Sequence, residues 1–137
     1  MKKFWLTSSL VIALSACSST PTIVNESSLL GEWKFTYIQD GPAIDNSPAE
    51  IIFLKNNMVS GNASCNRMKA GYKVDGEKGT LSFDRNASTM MMCPPVLMDQ
   101  ENKLLSTMSE VTNAYFKEDV LVMTNNKNRT ILQAVKK

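Results

Sequence analysis

The chain has 137 residues and no histidine, which excludes Ser-His-Asp and Cys-His catalytic arrangements and every histidine-based metal site. Its 15 basic and 13 acidic residues give a net charge of +2. The basic residues are scattered, with only Lys2-Lys3 and Lys136-Lys137 adjacent, so no clustered cation faces a phosphate backbone and no nucleic-acid partner is expected.

The chain opens with Met1-Lys2-Lys3 and then runs without charge to Leu14, the basic and short apolar regions of an export signal. About 20 apolar residues are needed to cross a bilayer as a helix. This segment is shorter, so it reads as a processed leader. Leu14-Ser15-Ala16-Cys17 resembles the bacterial lipobox, in which the last thiol takes a diacylglyceryl group and the leader is cut just before it. An ordinary signal peptide cut near Ala13 or Ala16 is the alternative. Ser18 stands where an Asp would signal inner-membrane retention, and by resemblance to other lipoproteins the outer membrane is favoured. The expected division is a signal peptide over 1–16, a lipidated tether over 17–28 and one domain over 29–137. Loss of Lys2 and Lys3 leaves basic and acidic residues equal, so the mature chain is near neutral. Its first partner is then the membrane, through the lipid.

Residues 18–28, SSTPTIVNESS, are small and polar. As a flexible tether, at about 3.5 Å per residue, they would reach up to roughly 40 Å from the lipid. Beyond them, Trp33, Phe35 and Tyr37 alternate with Glu32, Lys34 and Thr36, the period of a half-buried strand over 31–39. After the turn-rich 40–50, a short apolar strand over 49–55 leads through Asn56-Asn57 to another over 58–61. Tyr72 and Val74 lead to a turn at Asp75-Gly76, and Leu81 and Phe83 share a face of the next strand. Thr89 to Cys93 is expected as a further short strand ended by Pro94 and Pro95.

Apolar residues at 97, 104, 105, 108, 111 and 115 follow helical spacing and predict a helix over 97–116, with Asp99 and Glu101 near its start, where the macrodipole favours acids. DVLVMT and RTILQAV, joined by NNKN, make a final hairpin. The fold class is α+β: a small curved antiparallel sheet, a partial barrel, packed on a single helix.

Three cysteines leave two once Cys17 is acylated. In an oxidising envelope, Cys65 and Cys93 read as one disulfide. The chain-entropy model gives such a crosslink about 3.5 kcal/mol. TMMMCPP, residues 89–95, is then the second anchor of that bridge. Met90, Met91 and Met92 offer thioethers that suit Cu(I). On a strand, however, Met91 faces away from Met90 and Met92, so adaptable core packing is preferred to a metal site at Met90 and Met92. Glu101, with Asp99, is expected as a solvated or capping group. Asn66 is expected in a left-handed turn, and Arg67 as a buried clamp on a carboxylate or the backbone rather than a ligand contact. The Asn-x-Ser/Thr matches at Asn25, Asn62, Asn86 and Asn128 read as turn residues.

Ser60-Gly61, Cys65-Asn66-Arg67, Gly71-Tyr72, Thr89-Met90, Met92-Cys93 and the helix bearing Glu101, Leu104 and Leu105, in this order over roughly 28–136, resemble the META domain of HslJ-like bacterial lipoproteins. The resemblance implies a small α+β envelope protein, linked in its relatives to heat or antibiotic stress, with no established enzymatic activity. The expected function is a non-enzymatic, outer-membrane-anchored binding or scaffolding module. Its curved sheet would offer a groove to an envelope protein, a peptide or an apolar ligand, with no catalytic residue and no cofactor. The alternative is a periplasmic small-ligand or Cu(I)-binding protein.

Overall fold

The computed structural model describes residue 17 and residues 19–137. The signal peptide and the lipobox residues Leu14 to Ala16 lie outside these. In chain order the elements are β1 (Thr22–Ile23), α1 (Glu26–Leu29), β2 (Gly31–Ile38), β3 (Gly41–Pro42), β4 (Glu50–Phe53), β5 (Met58–Asn62), β6 (Arg67–Asp75), β7 (Thr80–Phe83), β8 (Ala87–Ser88), α2 (Pro95–Met108), β9 (Asn113–Lys117), β10 (Val120–Thr124) and β11 (Thr130–Lys136).

The expected partial barrel closes. Antiparallel pairing runs β9-β10-β11-β2-β4-β5-β6-β7, and β7 returns to β9 through the Thr80–Asn113 pair. Two hydrogen bonds secure the seam: Leu81 N–H donates to Thr112 O at 3.1 Å, and Ala114 N–H to Gly79 O at 3.1 Å. Closure leaves no long open edge in the ring, the usual aggregation hazard of a small sheet. Inward residues such as Phe35, Ile51, Phe53, Tyr72, Leu81 and Leu132 are almost wholly buried. Phe53 meets Tyr72 edge-on at 5.1 Å, the geometry favoured by ring quadrupoles.

Strict alternation fails once in β2. Phe35 pairs with Ala134 and Tyr37 with Gln133, so Thr36 is an extra residue opposite no partner. This bulge reverses the phase of the strand. Ile38 turns inward and is buried, while Tyr37 is only half-buried, against the expectation of Tyr37 in the Trp33–Phe35 face.

The ordered domain also begins earlier than the expected boundary at residue 29. Thr22 and Ile23 pair with Phe116 and Tyr115 on β9, and Val24 is fully buried. Asn25 caps α1 by accepting from Ser28 N–H at 2.9 Å, while Ser28 Oγ accepts from Asn25 N–H at 2.9 Å. Of the expected tether, only residues 17–21 precede the first strand, which shortens the reach to roughly 15–20 Å at about 3.5 Å per residue.

The predicted helix over 97–116 divides in two. α2 ends at Met108, and Asn113–Lys117 pairs with β10 across the two-residue turn Glu118-Asp119. Val111 and Tyr115 fall on helical spacing, but β-branched and aromatic residues next to a strand partner favour the hairpin. Residues 89–94 form no strand; just before them β8 pairs with Met68 and Lys69 on β6, and Thr89 N–H donates to Arg67 O at 3.0 Å.

On α2 the buried face carries Gln100, Glu101, Leu104, Thr107 and Met108. Thr107 Oγ1 is the one buried side-chain polar atom without a partner among the described residues. Removing an unpartnered hydroxyl while keeping the shape recovers its desolvation cost. Thr107→Val should therefore raise the unfolding free energy by about 1 kcal/mol in urea titration.

Candidate functional site

The residues singled out in the sequence meet at one end of the ring, where the β5–β6 connection faces the start of α2. Pro95 opens the helix, a position where its missing N–H costs nothing. Two residues earlier, Cys93 is bonded to Cys65, with 5.9 Å between Cα atoms. The expected Cys65–Cys93 disulfide is present, and it joins the helix start to the β5–β6 connection.

That connection turns at Ser64, whose φ of 127° is a conformation side chains rarely adopt. The positive φ expected at Asn66 thus lies two residues earlier. The turn points successive backbone N–H groups of Cys65 and Asn66 at one spot, and Glu101 fills it. Its Oε2 accepts from Cys65 N–H at 3.0 Å and from Asn66 N–H at 2.6 Å, and its Oε1 accepts from Asn66 Nδ2 at 2.7 Å. Consecutive N–H groups of this kind form an anion-binding concavity; here the anion site is occupied from within. Glu101 is 4% exposed. It is therefore neither a solvated group nor a helix-start acid, as the sequence suggested, because three donors replace the water it gives up.

Gln100 extends the contact. Its Oε1 accepts from Ile44 N–H at 2.8 Å, and its Nε2 donates to Ser47 Oγ at 2.7 Å and Ser64 Oγ at 3.0 Å. Asn66 then reaches outward. Its Oδ1 accepts from Met91 N–H at 2.6 Å and Thr89 Oγ1 at 2.9 Å, and its Nδ2 donates to Met91 O at 3.4 Å as well as to Glu101. Every donor and acceptor of this amide is engaged. The clamp expected at Arg67 is built by Asn66 instead.

Arg67 itself is exposed and forms no ion pair among the described residues. The strand's alternation explains the exchange of roles: Met68 and Ala70 face the core, so Arg67 and Lys69 face outward. They border two surface hollows. One, of about 360 Å³, also touches Glu50, Ile52 and Ser60, and the other, of about 370 Å³, runs along Ala87, Ser88 and Thr89. Glu50 is engaged by Lys137 at 2.6 Å.

The methionines depart furthest from expectation. Met90, Met91 and Met92 are 96%, 58% and 92% exposed, so they fill no core. Lacking a strand partner, the segment follows the surface from β8 to the helix. The thioethers of Met90 and Met92 stand in solvent and line none of the hollows described above.

A family model described as META domain matches residues 27–137. The chain belongs to the META domain family. The solved structures it resembles include an NMR structure at 24% identity, TM-score 0.64, covering 82% of this chain and 96% of that one. A second NMR structure, from Burkholderia xenovorans, has 19% identity and TM-score 0.65, with 93% and 99% covered. A DUF4847 family protein from Bacteroides vulgatus, solved by crystallography, has 12% identity and TM-score 0.59, with 80% and 94% covered. These likenesses establish the fold. No curated protein matches the chain.

In this META domain several of the stretches that carried the sequence resemblance form one physical unit. Cys65-Asn66, Thr89 to Cys93 and Glu101 come from three separate parts of the chain and converge on the clamp. Gly71, another of those residues, has its Cα beneath the Asp84 carboxylate, where a Cβ would collide with Oδ2. Gln100, Ser47 and Ser64 were not singled out from the sequence. Nothing in their local pattern separates a buried Gln or Ser from a surface one.

Proposed function

We propose that this META domain protein is an envelope lipoprotein, held to the outer membrane through Cys17, that acts without catalysis as a binding or scaffolding module in tolerance of heat or antibiotic stress. The observation that carries the reading is the pair Arg67 and Lys69, two outward cations with no ion-pair partner among the described residues, beside hollows that a fixed segment borders. Such a surface suits a peptide or protein partner bearing carboxylates, which the guanidinium of Arg67 can grip in a bidentate pair.

The tether supports this orientation. β1 lies near the Asp75–Thr80 turn, where Gly79 approaches Ile23 and Gly76 approaches Asn25, and Arg67 begins the other end of β6. Nine residues of strand at about 3.3 Å each separate the two ends by roughly 30 Å. A domain anchored at Cys17 would present Arg67 and Lys69 away from its own lipid. A small-ligand or Cu(I) carrier is less well supported, because Met90 and Met92 are almost wholly exposed and line none of the hollows described above.

Crosslinking in intact envelopes, followed by capture of this chain, tests the reading. Wild type should retain a specific protein partner, and Arg67→Glu with Lys69→Glu should reduce its recovery at least about tenfold while the unfolding midpoint stays unchanged, because surface charges contribute little to stability. Equal recovery from both chains overturns the proposed surface. Cys17→Ala should move the chain from the membrane to the soluble fraction.

A further inference from the structure

We infer that Met90, Met91 and Met92 form an oxidation site, a display of thioethers that a hypohalous acid oxidises to sulfoxides without loss of the fold. The inference rests on the distribution of sulfur, independently of any binding partner. Met68, Met108 and Met123 are 2%, 1% and 0% exposed, and Met58 and Met98 are half-buried. Cys65 and Cys93 hold no free thiol. Apart from Cys17, the exposed reduced sulfur among the described residues is concentrated in three consecutive side chains.

Their exposure is built into the fold. Asn66 takes both the N–H and the carbonyl of Met91, and the disulfide fixes Cys93 two residues on. With its backbone held at both points, the segment has little freedom to turn its side chains inward. The fixing contacts use main-chain atoms and the Asn66 amide, so chemistry at the thioethers breaks none of them. A sulfoxide converts a flexible apolar side chain into a polar one, which disrupts a core but costs little in solvent.

The reaction balances with the acid as the only oxidant and one solvent water consumed and re-formed. The sulfur lone pair attacks chlorine of hypochlorous acid and the O–Cl bond breaks, giving a chlorosulfonium and hydroxide. Water then attacks sulfur, chloride leaves and two protons are released, one of which neutralises the hydroxide. Sulfur loses two electrons and chlorine gains them. The net products are a sulfoxide, chloride and one proton.

The test is a titration of the full chain, purified in detergent, with one to three equivalents of hypochlorous acid, followed by peptide mass mapping and thermal unfolding. Sulfoxide should accumulate in the 90–92 peptide at least tenfold above Met68, Met108 and Met123 and severalfold above Met58 and Met98, with an unfolding midpoint unchanged within error. A Met90→Leu, Met91→Leu, Met92→Leu chain should fold alike and consume correspondingly less oxidant before its core methionines react. Sulfoxide spread evenly over Met58, Met98 and the 90–92 segment overturns the inference, as does a lowered midpoint once that segment alone is oxidised.

Discussion

Replacing Glu101 with glutamine should lower the free energy of unfolding by about 3 kcal/mol, the range expected when a buried polar network loses an acceptor. The geometry leaves the amide no favourable orientation. If its NH2 takes the place of Oε2, it confronts the N–H groups of Cys65 and Asn66; if it takes the place of Oε1, it confronts Asn66 Nδ2. Rotating the Asn66 amide to relieve that conflict would set a donor against Met91 N–H and take from the Thr89 hydroxyl its acceptor. One substitution thus propagates from the helix to the methionine segment. Asp99→Asn, two residues away, is the control: Asp99 pairs with Lys103 at 3.0 Å in solvent, and losing so exposed a pair should leave the urea midpoint essentially unchanged. Urea titrations of both variants give the comparison. A Glu101→Gln cost as small as that of Asp99→Asn would show that the carboxylate is a surface group after all. Against a total stability of about 5–15 kcal/mol the expected loss is large.

The contrast between Asp99 and Glu101 also shows what the sequence could reveal. Period-two alternation located β2 and the faces of β6 and β7, while short apolar or β-branched runs bounded by turn residues located β4, β5, β10 and β11; β10, with four consecutive buried residues, has no alternation to read. Such patterns could not reveal the bulge at Thr36, which depends on the register with β11, nor β1, β3 and β8, which are two residues each and depend wholly on their partners. The helix was overextended because Val111 and Tyr115 satisfy helical spacing by coincidence, and only pairing with β10 decides for a strand. At the clamp, cysteine counting yielded the disulfide, since that inference needs only compartment and number. The exchange of roles between Asn66 and Arg67 was hidden because the strand's phase decides which of two neighbours points inward. The exposure of Met90 to Met92 was hidden for a related reason. Methionine composition suggests packing, but the segment is tied down by backbone bonds that composition does not encode.

Removing the disulfide should cost about 3.5 kcal/mol of stability, and the Cys65→Ser, Cys93→Ser chain should unfold at correspondingly lower urea. The two cysteines are 28 residues apart, so in the unfolded chain the crosslink closes a loop long enough to forfeit that much conformational freedom. The effect in the folded state is local. Without Cys93 fixed, residues 89–94 retain Asn66 as their side-chain anchor, while Gln100 and Glu101 still bind α2 to the β5–β6 connection. Hydrogen exchange should therefore quicken at Met91 and its neighbours and stay slow across β2, β10 and β11, whose core residues do not depend on the bridge. Uniformly faster exchange, with no excess at residues 89–94, would mean that the bridge acts only through the unfolded chain. A cost near zero would mean that the Glu101 network alone sets the junction between ring and helix. The two substitutions should also couple. Adding Glu101→Gln to the disulfide-free chain frees the helix start from both of its ties, so the combined loss should exceed the separate losses by about 0.5–3 kcal/mol, the range seen for residues in one network.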